Sequence, residues 1–300
     1  MAKVIPVFDH SSQPNVGRMP AWIRQPLSAG DNYGQTASAV SQQQLNTVCV
    51  EAHCPNRQEC WSRGTATFML LGDTCTRACG FCAVKTGKPD WFDDDEPRRV
   101  AEAALGMGLD YVVLTCVNRD DLADGGAKIF ADTITQLRQG KAAMGIELLT
   151  SDYFRCQDNA VEVIYQALTQ AEGETRMVWG HNVETVPSLY KTVRKGADYQ
   201  RSLDMLQKAA ALDGVEAKSA IMLGVGEHHN EVVQVLKDLR AANVDRVAIG
   251  QYLRPSKYHL PVQRYLSPAE FDDYTNVANE LGFSWVKSGP LVRSSYHAEE

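Results

Sequence analysis

No run of apolar residues in this 300-residue chain approaches the length needed to cross a bilayer, and the opening MAKVIPVF holds too few apolar residues before Asp9 to form the core of an export signal. Both absences predict a cytoplasmic protein in a reducing environment, with no membrane partner. Positive charge is scarce as well: 30 Lys and Arg stand against 37 Asp and Glu, the formal net charge is -7, and no basic stripe with interleaved aromatics occurs. Nothing would offset phosphate repulsion, which argues against a nucleic-acid partner. Internal sequence repeats are also missing. What is present is a hydrophobic content of 44%, enough for a sizeable core in one large α/β domain or two small ones.

Against these absences, cysteine is plentiful and patterned. Two triplets stand out, Cys49, Cys54 and Cys60 in CVEAHCPNRQEC and Cys75, Cys79 and Cys82 in CTRACGFC. In a reducing compartment such spacing reads as metal ligation in preference to disulfides. Three thiolates on a four-iron cluster leave one iron without a protein thiolate, and an open iron is where chemistry can happen. The C-x3-C-x2-C loop is compact enough to wrap three irons of a cubane, whose fourth iron can chelate the amine and carboxylate of an amino acid. The plainer alternative is a Cys3His zinc site using His53 or another group as fourth ligand. Two incomplete sites in one chain favour catalysis over scaffolding.

Residues 1 to about 45 are rich in Ser, Gln, Asn, Gly and Pro, with no sustained apolar period before SAVSQQQLNTV, and read as a wrapping arm. From about residue 66 short β-branched runs alternate with longer amphipathic stretches, the pattern of repeated β-α units. The strand-like runs are TFMLLG (from Thr65 or Thr67), YVVLT, IELLT, TRMVWG (from Thr175), AKSAIMLG and RVAIG. The helix-like stretches that follow them are RRVAEAALGMG, AKIFADTITQLRQG, NAVEVIYQALTQA, ADYQRSLDMLQKAAAL, NEVVQVLKDLRAA and PAEFDDYTNVANELG, with start signals at Glu96-Pro97 and Ser267-Pro268. Six units predict an α/β fold, a partial six-stranded (β/α)6 parallel barrel. The expected division is an N-terminal extension over 1–65 carrying the first cysteines, the barrel over 66–282, and a C-terminal segment over 283–300, the two extensions closing the barrel mouth. Such folds gather ligands at the C-terminal ends of their strands. Cys75, Cys79 and Cys82 follow the first strand, and VNRDDLADGG, GHNVET, GVGE and QYLRPSK fall at the same rim.

A C-x3-C-x2-C triplet after the first strand of a six-stranded partial barrel resembles the radical S-adenosylmethionine superfamily. Within it the chain is similar to the lipoyl synthase family, through the C-x4-C-x5-C triplet and the C-terminal RSSYHA. GDTCTR, TCVNRDDLADGGA, HNVETVPSLY, VRKGADYQRSL, KSAIMLGVGE and IGQYLRPSKYHLPVQRY carry the likeness from about Pro20 to the end. The resemblance implies two 4Fe-4S clusters and S-adenosylmethionine as cofactors. Cys75, Cys79 and Cys82 would hold the cluster that cleaves S-adenosylmethionine. Cys49, Cys54 and Cys60 would hold an auxiliary cluster, with Ser295, or else Ser294, as fourth ligand. A serine oxygen is harder than thiolate and easier to displace, which suits a cluster meant to be taken apart. The implied reaction inserts two sulfur atoms at C6 and C8 of a protein-bound octanoyl-lysine through a 5′-deoxyadenosyl radical. No acid-base residue is needed, because no side chain can deprotonate an unactivated methylene. The implied partners are octanoylated lipoyl carrier domains or the glycine-cleavage carrier protein, and a low-potential electron donor, flavodoxin or ferredoxin. Arg254, Lys257, Arg264 and Arg293 are candidate docking charges for an acidic carrier.

Further binding candidates come from the rim. Gly125 and Gly126 would let backbone approach a methionine amine, or else form an ordinary turn before the next helix. Asn118, Arg119 and Asp120 follow the second strand, and Asn182 and Glu184 the fourth, where polar groups after a buried strand need partners. Gly224 opens a segment resembling an adenine contact, and Arg293 adjoins the serines. Asp93 to Glu96 read as a solvated loop entering a helix. His228 and His229 diverge at a helix start, and Cys116 and Cys156 lack partner spacing. Cys116 also departs from the family, which commonly has serine there. Ala78, Gly80, Trp179-Gly180 and the His pair are further departures, none of them at a proposed ligand. Two other functions compete: a different radical sulfur insertion or cofactor maturation, and a non-catalytic metal or electron-transfer protein.

Overall fold

The computed structural model describes residues 18–23, 33–63, 67–90, 93–170 and 176–300, so that MAKVIPVF, Thr65 and Thr175 lie outside the described residues. After a single 3-10 turn at Ala21–Ile23 come three short helices, α1 (Tyr33–Gln42), α2 (Val48–Glu51) and α3 (Arg57–Ser62). The stretch read as a wrapping arm is therefore helical from Tyr33. Its sequence gives a weak helix signal, and tertiary contact supplies the rest: Tyr33 lies 5.5 Å from the Trp61 ring, and the Thr36 hydroxyl donates to Trp61 O at 3.0 Å.

The sheet begins with β1 (Thr67–Leu70), followed by a ribbon of β2 (Thr74–Cys75) and β3 (Lys85–Thr86). Then come α4 (Glu96–Gly106), β4 (Tyr111–Cys116), α5 (Ala127–Gly140), β5 (Gly145–Leu149), α6 (Gln157–Thr169) and β6 (Met177–Gly180). The last third adds α7 (Tyr190–Val193), α8 (Tyr199–Ala210), β7 (Val215–Leu223), α9 (His229–Ala241), β8 (Arg246–Gln251), α10 (Pro268–Glu280) and β9 (Trp285–Gly289). The main sheet has seven parallel strands in the order β1-β4-β5-β6-β7-β8-β9. All six expected strands are there, and β9 adds a seventh beyond β8, pairing Arg246 with Trp285 and Gly250 with Gly289.

Alternation along the strands sorts side chains between two layers. Ile146 and Leu148 join the core shared with the outer helices, where Phe130, Ile134 and Ile164 are fully buried. Glu147, between them, faces the other way. Its carboxylate meets Lys218 Nζ at 2.8 Å although β6 separates their strands, a reach open only across the concave side. Lys218 and Arg246 both lie over the Trp285 ring, at 4.7 and 4.4 Å, and close the lower end of the lumen. Above this charged floor Ala220, Ala248 and Gly250 leave room for the chain to fold back, and Val292 packs onto the two alanines.

The two edges of the curved sheet are β1 and β9. Backbone at Asn46 and Thr47 covers the first: Met69 N donates to Asn46 O at 2.8 Å, and Thr47 bridges Phe68 antiparallel. The chain after β9 reaches back to α3, where Asn56 Nδ2 donates to Leu291 O at 2.7 Å. Glu96, expected in a solvated loop, is buried. Its carboxylate accepts from Leu71 N at 2.6 Å and Gly72 N at 3.3 Å, holding the left-handed turn that ends β1.

Candidate active site

The loop that leaves β1 carries Cys75, Cys79 and Cys82 across the strand ends and is held from several sides. Gly80 N donates to Val193 O at 2.9 Å and Gly80 O accepts from Leu260 N at 3.0 Å. A Cβ at Gly80 would stand 2.9 Å from the Leu260 side chain and 3.0 Å from Thr192 O, so this position needs glycine's small size. His259 Nε2 donates to Cys82 O at 3.1 Å. Phe81 packs on Val193, Val225, Tyr252 and Leu260. Between the first two cysteines, Arg77 turns inward and donates to Asp120 at 2.7 Å and to Asp152 at 2.6 Å, and Arg201 binds the other Asp152 oxygen at 2.7 Å. Burial opposes ionisation of Asp152, but the two guanidinium groups hold its carboxyl well below the usual range.

The thiols of this loop suit a multi-iron group. All eight cysteines of the chain are free. Among the described residues no three His, Cys, Asp or Glu side chains converge on a single-ion position. Burial pushes the Cys79 thiol up to about 11 and Cys82 to about 12, and in each case the neighbouring cysteine charges add to the rise. Three thiolates this close cannot form without a compensating positive charge, which a metal cluster supplies. Arg77 N and Asn118 N point at Cys75 Sγ, at 3.4 and 3.3 Å, the hydrogen bonding that suits thiolate ligands.

Cys49, Cys54 and Cys60 lie in and between α2 and α3. Burial first, then Cys49, raises Cys54, and burial pushes Cys60 up to about 12 with Cys49 and Cys54 adding to it. The same donor chemistry therefore holds at the second triplet. The segment after β9 reaches both triplets: Ser294 Oγ donates to Asn182 Oδ1 after β6, and Tyr296 Oη donates to Glu59, next to Cys60. The Glu184 charge raises the Cys79 and Cys82 thiols, and the Arg293 charge lowers Cys54.

The residues expected around this mouth divide into groups free to bind and groups already engaged. Asn118 Oδ1 is buried with no protein partner among the described residues, so it offers an acceptor inside the mouth. Glu184, at φ +64°, receives Asn182 Nδ2 at 3.0 Å, and Asn182 Oδ1 accepts from Ser294 Oγ at 3.0 Å. Ser295 makes no hydrogen bond among the described residues. Arg119, by contrast, is buried and bound bidentately to Asp121, at 2.9 and 2.8 Å. Gly125 and Gly126 adopt φ +61° and +89°, and a Cβ at Gly126 would stand 2.3 Å from Leu71 Cδ1, so turn geometry and packing account for both glycines. Gly224, Val225 and Gly226 present their N–H groups to the Glu227 carboxylate at 2.7, 2.9 and 3.1 Å, which leaves those donors filled. Of the docking charges, Arg264 pairs with Glu270 and Arg254 donates to His259 O at 2.9 Å. Cys116 is close enough to Cys75 to feel its charge, and burial lifts its thiol to about 12.

Several residues of the site were not singled out in the sequence. Arg194 is enclosed, donating to Tyr190 Oη at 2.9 Å and Ser202 Oγ at 3.0 Å while acting on Cys79 and Glu184. His181 is buried with Nδ1 donating to Thr150 O at 2.9 Å, and burial holds it down to about 4, hence neutral. Asp152 completed a network whose other members are far away in the chain, and Glu227 one with the three residues before it. Arg194, His181 and Glu227 stood inside quoted segments, VRKGADYQRSL, GHNVET and GVGE, whereas Asp152 stood in none.

Residues 69–239 match the profile of the Radical SAM superfamily. The chain is 50% identical over 283 residues to a lipoyl synthase of Alcanivorax borkumensis, a match covering 94% of this chain and 85% of the relative. It is 49% identical to a lipoyl synthase of Chlorobium limicola, with 94% of each chain covered. A lipoyl synthase of Rubrobacter xylanophilus is 48% identical over 94% of this chain and 85% of its own. Among solved structures, Streptococcus suis SuiB bound to S-adenosylmethionine is similar with a TM-score of 0.54 at 10% identity, a likeness of fold alone. That match covers 79% of this chain and 55% of SuiB, so the chain spans about half of the length of that protein.

Proposed function

The chain belongs to the lipoyl synthases of the radical SAM superfamily, and from that premise we propose that Cys75, Cys79 and Cys82 hold one four-iron cluster while Cys49, Cys54, Cys60 and Ser295 hold a second. Bound there, the two clusters and S-adenosylmethionine supply a 5′-deoxyadenosyl radical and the sulfur that replaces hydrogen at C6 and C8 of a protein-bound octanoyl-lysine. The side chains have a positioning task. Asn118, with its unpartnered buried oxygen, is the acceptor best placed for an ammonium group of the cofactor. Asn182 and Glu184 face the same space from the end of β6, and Arg194 and Arg293 balance the negative charge gathered there. Gly224, whose N–H goes to Glu227 and whose carbonyl accepts from Gln263 N at 2.8 Å, contributes shape, and Gly125, Gly126 and Arg119 shape the rim.

Ser295 is the oxygen donor in this reading and Ser294, whose hydroxyl donates to Asn182 Oδ1, the second candidate. The division into 1–65, 66–282 and 283–300 belongs to the same proposal, with β9 tying the last segment to the sheet. An octanoylated lipoyl domain or glycine-cleavage carrier brings the substrate, and a flavodoxin or ferredoxin brings electrons in a reducing compartment. Among the described residues no helix is long and apolar enough to cross a membrane.

The observation that carries the reading is the hydrogen-bonded link from Glu184 through Asn182 to Ser294 at the end of β6, and from Tyr296 to Glu59 beside Cys60, which supports a common mouth for both triplets. Anaerobically reconstituted protein is expected to hold about eight irons and little zinc per chain. Given reductant, S-adenosylmethionine and an octanoyl-lysine peptide, it should yield a product carrying two added sulfurs by mass spectrometry. Stoichiometric zinc without acid-labile sulfide would refute the assignment.

A further inference from the structure

The segment after β9 is tied to the rest of the molecule in an unusual way. Its backbone bonds are local, Val292 N to Gly289 O at the end of β9, Tyr296 N to Arg293 O and Glu300 N to His297 O, and none extends a strand ladder. What fixes it is a set of side-chain contacts on both sides of Ser295. Ser294 is held to Asn182 at the barrel mouth. On the other side Tyr296 Oη donates to the two Glu59 oxygens at 3.0 and 3.2 Å, and His297 Nε2 lies 3.2 Å from Glu59 Oε1. The Tyr296 and His297 rings stack at 4.0 Å, so both side chains reach Glu59 as one unit. Farther along, Arg63 binds His297 and Glu299, Arg176 Nη1 donates to Glu299 O at 3.0 Å, and Lys287 Nζ meets Glu300 at 2.6 Å.

We infer that Glu59 is a positioning residue, the anchor on α3 that receives Tyr296 and His297 and so holds Ser295 against the Cys49, Cys54 and Cys60 triplet. Two features single it out. Glu59 directly precedes Cys60, so the strap and a proposed ligand share one helical turn, and a shift of either moves the other. The strap also has no ladder to hold it when this anchor lets go. Its remaining ties are side-chain contacts, so it can loosen without breaking the sheet, and an oxygen donor on such a strap is displaced more readily than one built into a helix.

The inference rests on Ser295 facing the second triplet, and the experiment separates the two. In anaerobically reconstituted holoprotein carrying Ser295→Ala, no serine oxygen takes part and the strap is held by its side-chain contacts alone. Adding Tyr296→Phe, which keeps the ring stack and removes the hydroxyl, should raise hydrogen–deuterium exchange over residues 291–298 roughly tenfold or more, because a hydrogen bond to a charged acceptor is lost. Adding Glu59→Ala should do the same. Glu59→Gln keeps an oxygen for Tyr296 and should restore most of the protection. Unchanged exchange in the Tyr296→Phe background overturns the anchor. The serine reading is judged apart, by the Mössbauer spectrum of protein loaded with isotopically enriched iron: Ser295→Ala must alter it relative to wild type, whatever the exchange result.

Discussion

At the level of single residues the structure shows how little tolerance the mouth has. Gly126 combines φ +89° with a neighbour 2.3 Å from where a Cβ would lie. Gly126→Ala is therefore expected to cost about 2–4 kcal/mol, the left-handed penalty plus overpacking against Leu71, measurable by equilibrium unfolding. His181 gives a pH signature. Burial holds the folded residue to about 4 against an ordinary 6.5, so between these values the unfolded chain binds a proton that the folded chain refuses. Stability contributed by this group is complete above pH about 6.5 and falls by up to about 3 kcal/mol as pH drops to about 4. His181→Gln should flatten that part of the stability–pH curve, and an unchanged acid slope would contradict a neutral, buried imidazole. Residue-level function was partly legible. The six cysteines are patterned locally, so spacing alone made them candidates. For Arg119 and the Gly224 segment, named as binding candidates, the motif does not display the partners Asp121 and Glu227 that take up their hydrogen-bonding capacity.

At the level of elements the helices and central strands were readable from periodicity, α5 to both of its ends at Ala127 and Gly140. Two elements were not. The WVKSG stretch of β9 is only partly buried at every position, so it lacks the apolar run that marks a central strand, and pairing with β8 makes it a strand. The α1 sequence YGQTASAVSQ is largely polar, and its helix depends on docking against Trp61. The cysteine loop after β1 is the element whose rigidity matters most. Arg77, with a side chain 5% exposed, joins it to Asp152, which is wholly buried. Asp152→Ala would strand a buried guanidinium with one partner fewer, at a cost of about 3–5 kcal/mol. Its iron at Cys75, Cys79 and Cys82 should be released to a chelator well before that at the other triplet. Equal release rates from the two sites would show that this ion network does not brace the loop.

At the scale of the whole molecule the open barrel is closed by chain segments and not by strand pairing. Removing residues 291–300 should leave far-UV circular dichroism nearly unchanged, since β9 ends at Gly289 and keeps its pairing with β8. The same truncation should accelerate iron loss from the Cys49, Cys54 and Cys60 site, as followed by chelation, while sparing the site on the β1 loop. Collapse of the circular dichroism signal would mean that the strap is part of the folding core. The backbone bonds that Asn46 and Thr47 make along β1 have a wider consequence. They mask a row of donors and acceptors that would otherwise template association with another chain. Because that mask continues directly into the helices bearing the second triplet, iron depletion that loosens those helices also bares a sticky margin of the sheet. Demetallated protein should then self-associate, visible as rising light scattering on chelation, so iron supply would govern solubility as well as catalysis.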